Sequence, residues 1–472
     1  MQTCISSEII YSAKCADVNA TDSSLLGGAG ADRAIHQNAE MKKNFYSPKQ
    51  HNMLKMGNRK YIIYTEVMQM RLIERTEYLN QLMDVMDTPD IKVITGIRRS
   101  GKSKLLEAFI KKIVEVNNEA NIIHINYNLD TFEKMQEYHQ LLSFVKGNYD
   151  EKRKNYVFID EVQMCDGFEK AVNSLHASEN YDIYITGSNA FLLSSDLATL
   201  FTGRTFEIEV FPFSFKEFMK YYDLTDGYSA YTRYLTEGGM PGSYTYKNID
   251  DRVKYIREIF DTLILRDIKQ KYNIRNELLL TNVTDYLIDN ISNLTSARGI
   301  TDTINSNRGN VDHKTVNKYI EYLCKAFAFY YIRRYDIQGK KYLSASGKYY
   351  LSDQSFKYAK LGSKNADYGR VMENIVAIEL LRRKYEIYVG TLYKKEIDFV
   401  AIKANEKIYI QVTNSIEDEK TKERELEPLF KIRDSYPKMI ITRTGYPKYD
   451  IEGVTVIDIA DWLLGENAAE KR

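Results

Sequence analysis

Eight residues constrain this chain more than anything else in it: Gly96-Ile97-Arg98-Arg99-Ser100-Gly101-Lys102-Ser103, a complete G-x-x-x-x-G-K-[ST] pattern. The apolar run Ile91-Lys92-Val93-Ile94-Thr95 precedes it, and an amphipathic stretch from about Lys102 to Asn117 follows. Strand, glycine loop and helix is the order that a phosphate cradle requires. The loop must turn so that several backbone N–H groups converge on one point, which is why glycine is wanted at both ends, and the helix N-terminus adds partial positive charge there. Lys102 is expected to neutralise the β- and γ-phosphates and Ser103 to ligate Mg²⁺, with Gly96, Arg99, Ser100 and Gly101 completing the nucleotide-binding loop. Arg98 lies in the same loop, open to nucleotide, to a partner or to solvent.

Farther along, Tyr156-Val157-Phe158-Ile159-Asp160-Glu161 is an apolar strand ending in two carboxylates. Asp160 is the expected Mg²⁺ ligand, and Glu161 the base that orients or deprotonates attacking water, so that adjacent acids divide metal binding from proton transfer. A solvated acidic turn is the plain alternative, and the phosphate loop upstream argues against it. The next apolar strand, Tyr181 to Thr186, runs into Gly187-Ser188-Asn189. In many ring-type ATPases a polar residue there sits between the two preceding sites and senses the γ-phosphate or positions water, which makes Asn189 the candidate, with Ser188 second and a simple helix cap as the alternative. Gly203-Arg204 precedes the run Phe206 to Val210. Arg204 has two readings: an arginine finger in its own subunit or a neighbour's, or a solvated surface arginine.

The chain has 472 residues, a length that points to two or three domains. Lys+Arg 66 against Asp+Glu 65 leaves a net charge of +1, so no global field draws it to nucleic acid or anionic lipid, and any such surface is a local patch. No window approaches the roughly 18 apolar residues of a membrane span. The cysteines, Cys4, Cys15, Cys165 and Cys324, include no C-x-x-C pair, which points to a reducing compartment and a cytoplasmic location. Residues 1–66, with the run Gly27-Gly28-Ala29-Gly30-Ala31, carry no sustained period and are expected to be disordered. Met68 or Met70, just before regular patterning starts, marks the expected biological start. From there, apolar runs alternate with amphipathic stretches, the sequence form of a parallel sheet wrapped by helices. This defines a nucleotide-binding core over 67–210 and a helical lid or linker over 211–277, interrupted at Gly238-Gly239-Met240-Pro241-Gly242.

Residues 278–353 suggest a winged helix: helices near 278–291, 295–306 and 312–327, then a strand pair at 328–352. His313, Lys314, Asn317 and Lys318 would lie on neighbouring turns of the third helix, with Lys340, Lys341 and Lys348 following a phosphate backbone from the wing. Double-stranded DNA is thus a candidate partner for 312–348, beside a purely structural or protein-binding role that Asp312, Glu321 and the apolar stretch Tyr319 to Phe329 favour. Residues 354–472 contain the outline of a PD-(D/E)xK nuclease core: Glu373 on a helix, Glu396-Ile397-Asp398 on a strand, and Gln411-Val412-Thr413 on the next. Gln411 stands where a second acid belongs and Thr413 where a lysine belongs. A neutral amide binds Mg²⁺ weakly and a hydroxyl does not stabilise the nucleophile as an ammonium does, so the expectation is a nuclease fold without nuclease activity. Glu396 with Lys394 or Lys395 is the way those roles would be refilled.

The series resembles the bacterial and archaeal AAA-superfamily ATPases whose C-terminal portion is a domain of unknown function with a restriction-endonuclease-like core. The resemblance runs from about Met70 to the end. It is carried by the 96–103 loop, Ile159-Asp160-Glu161-Val162-Gln163, Thr186-Gly187-Ser188-Asn189 and Ser214-Phe215-Lys216-Glu217-Phe218. Gly238-Gly239-Met240-Pro241, Lys348-Tyr349-Tyr350-Leu351-Ser352-Asp353 and Glu373-Asn374 continue it. It implies ATP rather than GTP and an AAA-like fold. The expected class is therefore α/β: a P-loop, AAA-like parallel sheet, then a winged-helix-like module, then a degenerate nuclease-like α/β domain. The expected activity is Mg²⁺-dependent ATP hydrolysis coupled to C-terminal DNA- or protein-binding modules, with oligomerisation open and no membrane. A nucleotide-switched DNA-binding or signalling protein with little turnover is the other reading.

Overall fold

A computed structural model describes residues 52–56, 59–63, 73–187, 201, 203–306, 310–339, 341–362, 367–393 and 395–465. The chain divides into two units, Met1–Met70 and Arg71–Arg472. In the first, β1 (Asn52–Met56) and β2 (Arg59–Ile63) pair antiparallel, Asn52 opposite Ile63 and Met56 opposite Arg59. This hairpin is the local structure described within the stretch 1–66. Leu54, Tyr61, Ile62 and Ile63 are strand-forming residues that the small polar residues around them outweigh in any long window.

The second unit opens with α1 (Thr76–Asp84), β3 (Ile91–Thr95), α2 (Lys102–Val116), β4 (Asn121–Asn126) and α3 (Tyr138–Gly147). It continues through β5 (Asn155–Asp160), α4 (Phe168–Ala177), β6 (Tyr181–Thr186) and β7 (Thr205–Glu209). These strands form a five-stranded sheet in the order β4-β5-β6-β3-β7, parallel throughout. β3 and β5 are buried along their whole length, which is why both read as unbroken apolar runs. Alternate residues feed two cores, one containing Val93, Val157, Ile159 and Leu175, the other Leu82, Ile94, Phe109, Phe158 and Tyr184. Parallel strands present all their C-terminal ends at one edge, so the segments after β3, β5 and β6 meet there, where open α/β sheets bind ligands.

Beyond the sheet come α5 (Phe215–Tyr222), α6 (Gly227–Glu237) and α7 (Ile249–Asp261). α7 runs without a break into a π-helical turn at Thr262–Ile268 and then α8 (Lys269–Tyr272). Next are α9 (Glu277–Asp289), β8 (Leu294–Thr295), α10 (Ala297–Ser306), α11 (His313–Lys325), β9 (Phe329–Asp336), β10 (Lys341–Leu351) and α12 (Ser355–Leu361). The chain closes with α13 (Tyr368–Arg382), β11 (Glu386–Leu392), β12 (Lys395–Lys403), β13 (Glu406–Thr413), α14 (Glu419–Phe430), β14 (Lys438–Thr442), β15 (Tyr449–Ile451), β16 (Val454–Asp458) and α15 (Ile459–Leu464). Among the described residues β8 to β16 form one nine-stranded sheet, ordered β15-β16-β14-β13-β12-β11-β9-β10-β8. β9 pairs parallel with β11, Arg334 opposite Val389 and Asp336 opposite Thr391, so one ladder runs across the boundary that the sequence places near residue 353.

Most motifs that carry the family resemblance prove to be joints in this scaffold. The Ser214 side chain accepts from Glu217 N while the Glu217 carboxylate accepts from Ser214 N, a reciprocal cap that starts α5. Glu217 also takes the buried Arg75 guanidinium at 2.8 and 3.0 Å, and Arg75 donates to Ser100 O and Phe211 O, tying the phosphate loop to the segment after β7. Gly239 N donates to Asp353 Oδ2 at 2.6 Å, and a Cβ on Gly239 would lie 2.3 Å from Phe213 O, so only glycine lets these strands of chain meet. The Asn374 side chain accepts from Leu351 N and donates to Leu351 O, standing in for a neighbouring strand at the end of β10.

Candidate functional site

The phosphate loop begins where β3 ends. Gly96 sits at φ 124°, and a Cβ there would lie 2.2 Å from Val210 O; Gly101, at φ 100°, caps the N-terminus of α2. Lys102 is buried, and its Nζ donates to Gly96 O (2.8 Å) and Ile97 O (3.0 Å), so the ammonium lies in the bowl of its own loop. Burial pulls the Lys102 pKa down to about 8, against the opposing charges of Glu161 and Asp160. Ser100 is buried and Arg99 exposed. Arg98 is partly exposed and pairs with Asp267 of the π-helical turn at 3.4 Å.

Asp160 ends β5 and is buried, which raises its pKa against hydrogen bonds from Thr186 and Ser103. Thr186, at the end of β6 and between the other two strands, donates its hydroxyl to Asp160 Oδ1 and accepts from Glu161 N at 3.3 Å. Glu161 adopts a left-handed backbone, φ 57°, a conformation that costs a non-glycine residue of order 1–3 kcal/mol and that clusters at functional sites. Its carboxylate accepts from Gln163 Nε2 at 2.5 Å. The residues present fit a divalent cation arriving with a triphosphate: a hydroxyl and a carboxylate, Ser103 and Asp160, already face each other across the loop. Lys102, Ser103, Asp160 and Glu161 are thus brought together as their spacing predicts.

Other expectations fare differently. Asn189 and Ser188 lie outside the described residues, and the polar group found between the two acids and the loop is Thr186. A polar residue closing an apolar strand is its only trace in the sequence. Arg204 does not join the site within its own chain. Its backbone carbonyl accepts from Ile91 N, so it stands at the start of β3, about 16 Å of strand from the loop at the other end.

Lys348 is also not where the wing reading puts it. It is 3% exposed, and its Nζ lies 2.8 Å from Glu373, 2.7 Å from Glu396 and 3.3 Å from Asp398. Tyr350 donates to Glu373 at 2.7 Å, Asp398 accepts from Val412 N, and Gln411 bridges Asp398 N and the Glu425 carboxylate. The lysine is on the inner face because β10 is buried on both sides near its end, a place where alternation carries no signal. Lys340 and Lys394 are outside the described residues, as is the side chain of Lys341. His313, Lys314, Asn317 and Lys318 do share one exposed face of α11, with Val316, Tyr319, Ile320 and Leu323 buried beneath.

The cluster around Lys348 makes stability depend on pH. Burial, with the Asp398 charge adding to it, pushes the Glu373 pKa up from 4.5 to about 8. The folded chain then holds a proton that the unfolded chain releases, so this contribution is full below about pH 4.5 and lost as pH rises through about 8. The denaturation midpoint of the full chain should fall from about pH 6 to 8.5, and Glu373→Gln should flatten that profile. An unchanged slope in the variant would assign the dependence elsewhere.

One family model spans the candidate site. The sequence model of an AAA domain matches residues 88–219, and that of a domain of unknown function, DUF8612, matches residues 228–367. An uncharacterised protein of Methanocaldococcus jannaschii is 28% identical over 388 residues, 78% of this chain and 85% of that protein. Among solved structures, AMPPCP-bound DnaA from Aquifex aeolicus is 16% identical, covers 53% of this chain and 86% of its own, and has a TM-score of 0.27. The Aeropyrum pernix Orc1 protein in complex with DNA is 12% identical, covers 68% and 96%, and has a TM-score of 0.28. An uncharacterised protein of Haemophilus influenzae is 40% identical over 404 residues, 83% of this chain and 99% of that protein. This chain, an α/β protein with an AAA domain built on a parallel five-stranded sheet, belongs to the family of that Haemophilus influenzae protein.

Proposed function

We propose that this protein binds ATP with Mg²⁺ at the 96–103 loop, hydrolyses it, and couples the nucleotide state to its C-terminal modules. The observation that carries the reading is the convergence of Lys102, Ser103, Asp160 and Glu161 at one edge of the sheet, with Thr186 holding both acids. Lys102 leaves its loop carbonyls for the β- and γ-phosphates, and backbone N–H groups at the start of α2 receive the same oxygens. Ser103 and Asp160 would hold Mg²⁺, which supplies charge neutralisation to the phosphates. The Glu161 carboxylate takes the proton of a water that attacks the γ-phosphorus as the bond to the ADP oxygen breaks. Arg204, remote from its own loop, suits a finger offered to a neighbouring subunit in an oligomer. The free thiols Cys165 and Cys324 suit the cytoplasm.

The order α9-β8-α10-α11-β9-β10, with Thr295 paired to Gly347, supports a winged-helix-like module whose α11 face meets duplex DNA. The double variant Lys314→Glu, Lys318→Glu should weaken binding of duplex DNA by the full chain and lower its salt dependence by about one counterion for each phosphate no longer neutralised. Equal affinity and salt slope in fluorescence anisotropy would make α11 a protein-binding or packing face. The order α13-β11-β12-β13-α14-β14 supports a nuclease-like core, and Gln411, Thr413 and the Lys348-filled carboxylate cluster support its being inactive. The reading as a whole is tested by ATP turnover of the full chain with Mg²⁺, with and without duplex DNA. DNA-stimulated turnover supports coupled hydrolysis, whereas tight binding without turnover in both conditions replaces it with a nucleotide switch.

A further inference from the structure

Resting on the ATP site above, we propose that Arg98 is a phosphate-binding residue held in reserve by Asp267, and that nucleotide binding transfers it from that carboxylate to the phosphates, releasing the helix 249–272. Arg98 lies four residues before Lys102 in the phosphate loop, and its guanidinium, 27% exposed, spans 3.4 Å to Asp267. A guanidinium fork matches a phosphate better than a single carboxylate oxygen, and a triphosphate brings several negative charges to the loop where Asp267 brings one. Asp267 is itself buried, and its charge acts on Lys102, so the same carboxylate that detains Arg98 also repels the incoming anion.

The placement of Asp267 is unusual in a way that fits this role. It sits in the π-helical turn Thr262–Ile268, flanked on both sides by ordinary helix. A π turn carries a less favourable hydrogen-bond pattern than α-helix and recurs at functional positions. Here it brings a carboxylate to face the loop. On either side of Asp267 the helix touches later parts of the chain. Tyr272 stacks face to face on Tyr322 of α11, ring centroids 3.6 Å apart and planes within 6°. Arg257 donates twice to Ala359 O, at 2.9 and 2.7 Å. A change at Asp267 therefore has a continuous packed route to the helix that carries Lys314 and Lys318.

The experiment measures ATP binding by the full chain in wild type, Lys102→Ala, Arg98→Ala, Asp267→Asn and the Arg98→Ala, Asp267→Asn pair. Amide hydrogen exchange over 262–272, with and without a non-hydrolysable ATP analogue, is followed in wild type and Arg98→Ala. Arg98→Ala should weaken binding on the order of tenfold, as removal of one charge-assisted hydrogen bond does. Asp267→Asn should tighten it several-fold, the opposite of what damage to a packed helix does, and much of that gain should vanish in the pair. Nucleotide should raise exchange over 262–272 in wild type and leave it unchanged in Arg98→Ala. Binding that Lys102→Ala abolishes but Arg98→Ala leaves intact overturns the role of Arg98 alone. Weakened binding by a folded Asp267→Asn protein, or loss of turnover with binding unchanged, makes Asp267 a supporting or reacting group and also overturns the proposal. Absence of ATP binding by wild type, or binding indifferent to Lys102→Ala, overturns the nucleotide site itself.

Discussion

Glu161→Gln should bind Mg²⁺·ATP as tightly as wild type and turn it over at least about a hundredfold more slowly. The substitution preserves shape and the hydrogen bond to Gln163, and it removes only the ability to accept a proton. Asp160, two hydrogen bonds deep in Thr186 and Ser103, is untouched by the change, so the metal position stays intact. Lys102→Ala should instead lose binding itself, because Lys102 is the cation buried in the bowl of the loop where the triphosphate arrives. Single-turnover hydrolysis beside equilibrium binding of a fluorescent ATP analogue separates the two effects. Turnover at the normal rate by Glu161→Gln would move the base to another residue.

Lys348→Met should destabilise the chain by about 3–5 kcal/mol, read as a shift of the denaturation midpoint at neutral pH. Methionine fills the space but leaves the Asp398 and Glu396 carboxylates beside Glu373 without their cation, in a pocket where Glu373 and Asp398 are buried. Removing one partner of a buried ion cluster costs far more than the cluster contributes, since the survivors keep their desolvation penalty. Adding Glu373→Gln to Lys348→Met should recover part of the loss above about pH 8, where the Glu373 carboxyl would otherwise ionise. If Lys348→Met is as stable as wild type, the lysine is a surface group and the cluster is not closed in solution.

The nucleotide half is legible in the sequence because glycine spacing, buried parallel strands and paired acids each leave a local mark. The order Ile91 to Ser103 states strand, turn and helix outright, and Tyr156 to Glu161 states where the strand stops. Thr186 escapes because a threonine at a strand end is ordinary unless its neighbours in the sheet are known, and β5 and β6 become neighbours only through folding. Arg204 is legible as a candidate but not by its position: a residue just before a parallel strand lies at the edge away from the loop. Lys348 is not legible at all, since its strand is covered on both faces and a charged residue there is explained by Glu373, Glu396 and Asp398, all far along the chain. Asp267 carries no mark because its importance comes from a single irregular turn in a long helix, which no periodicity announces.

The ladder between β9 and β11 changes what deletion of the C-terminal region would report. Ending the chain near residue 353 would strip β9 of its β11 neighbour along Arg334, Tyr335 and Asp336 and leave unpaired N–H and C=O groups on a strand that also carries the exposed Tyr331. A shortened protein of that kind would tend to self-associate through the open edge. Loss of activity in it would then measure aggregation, and point substitutions in the intact chain are the sounder way to assign work to either half.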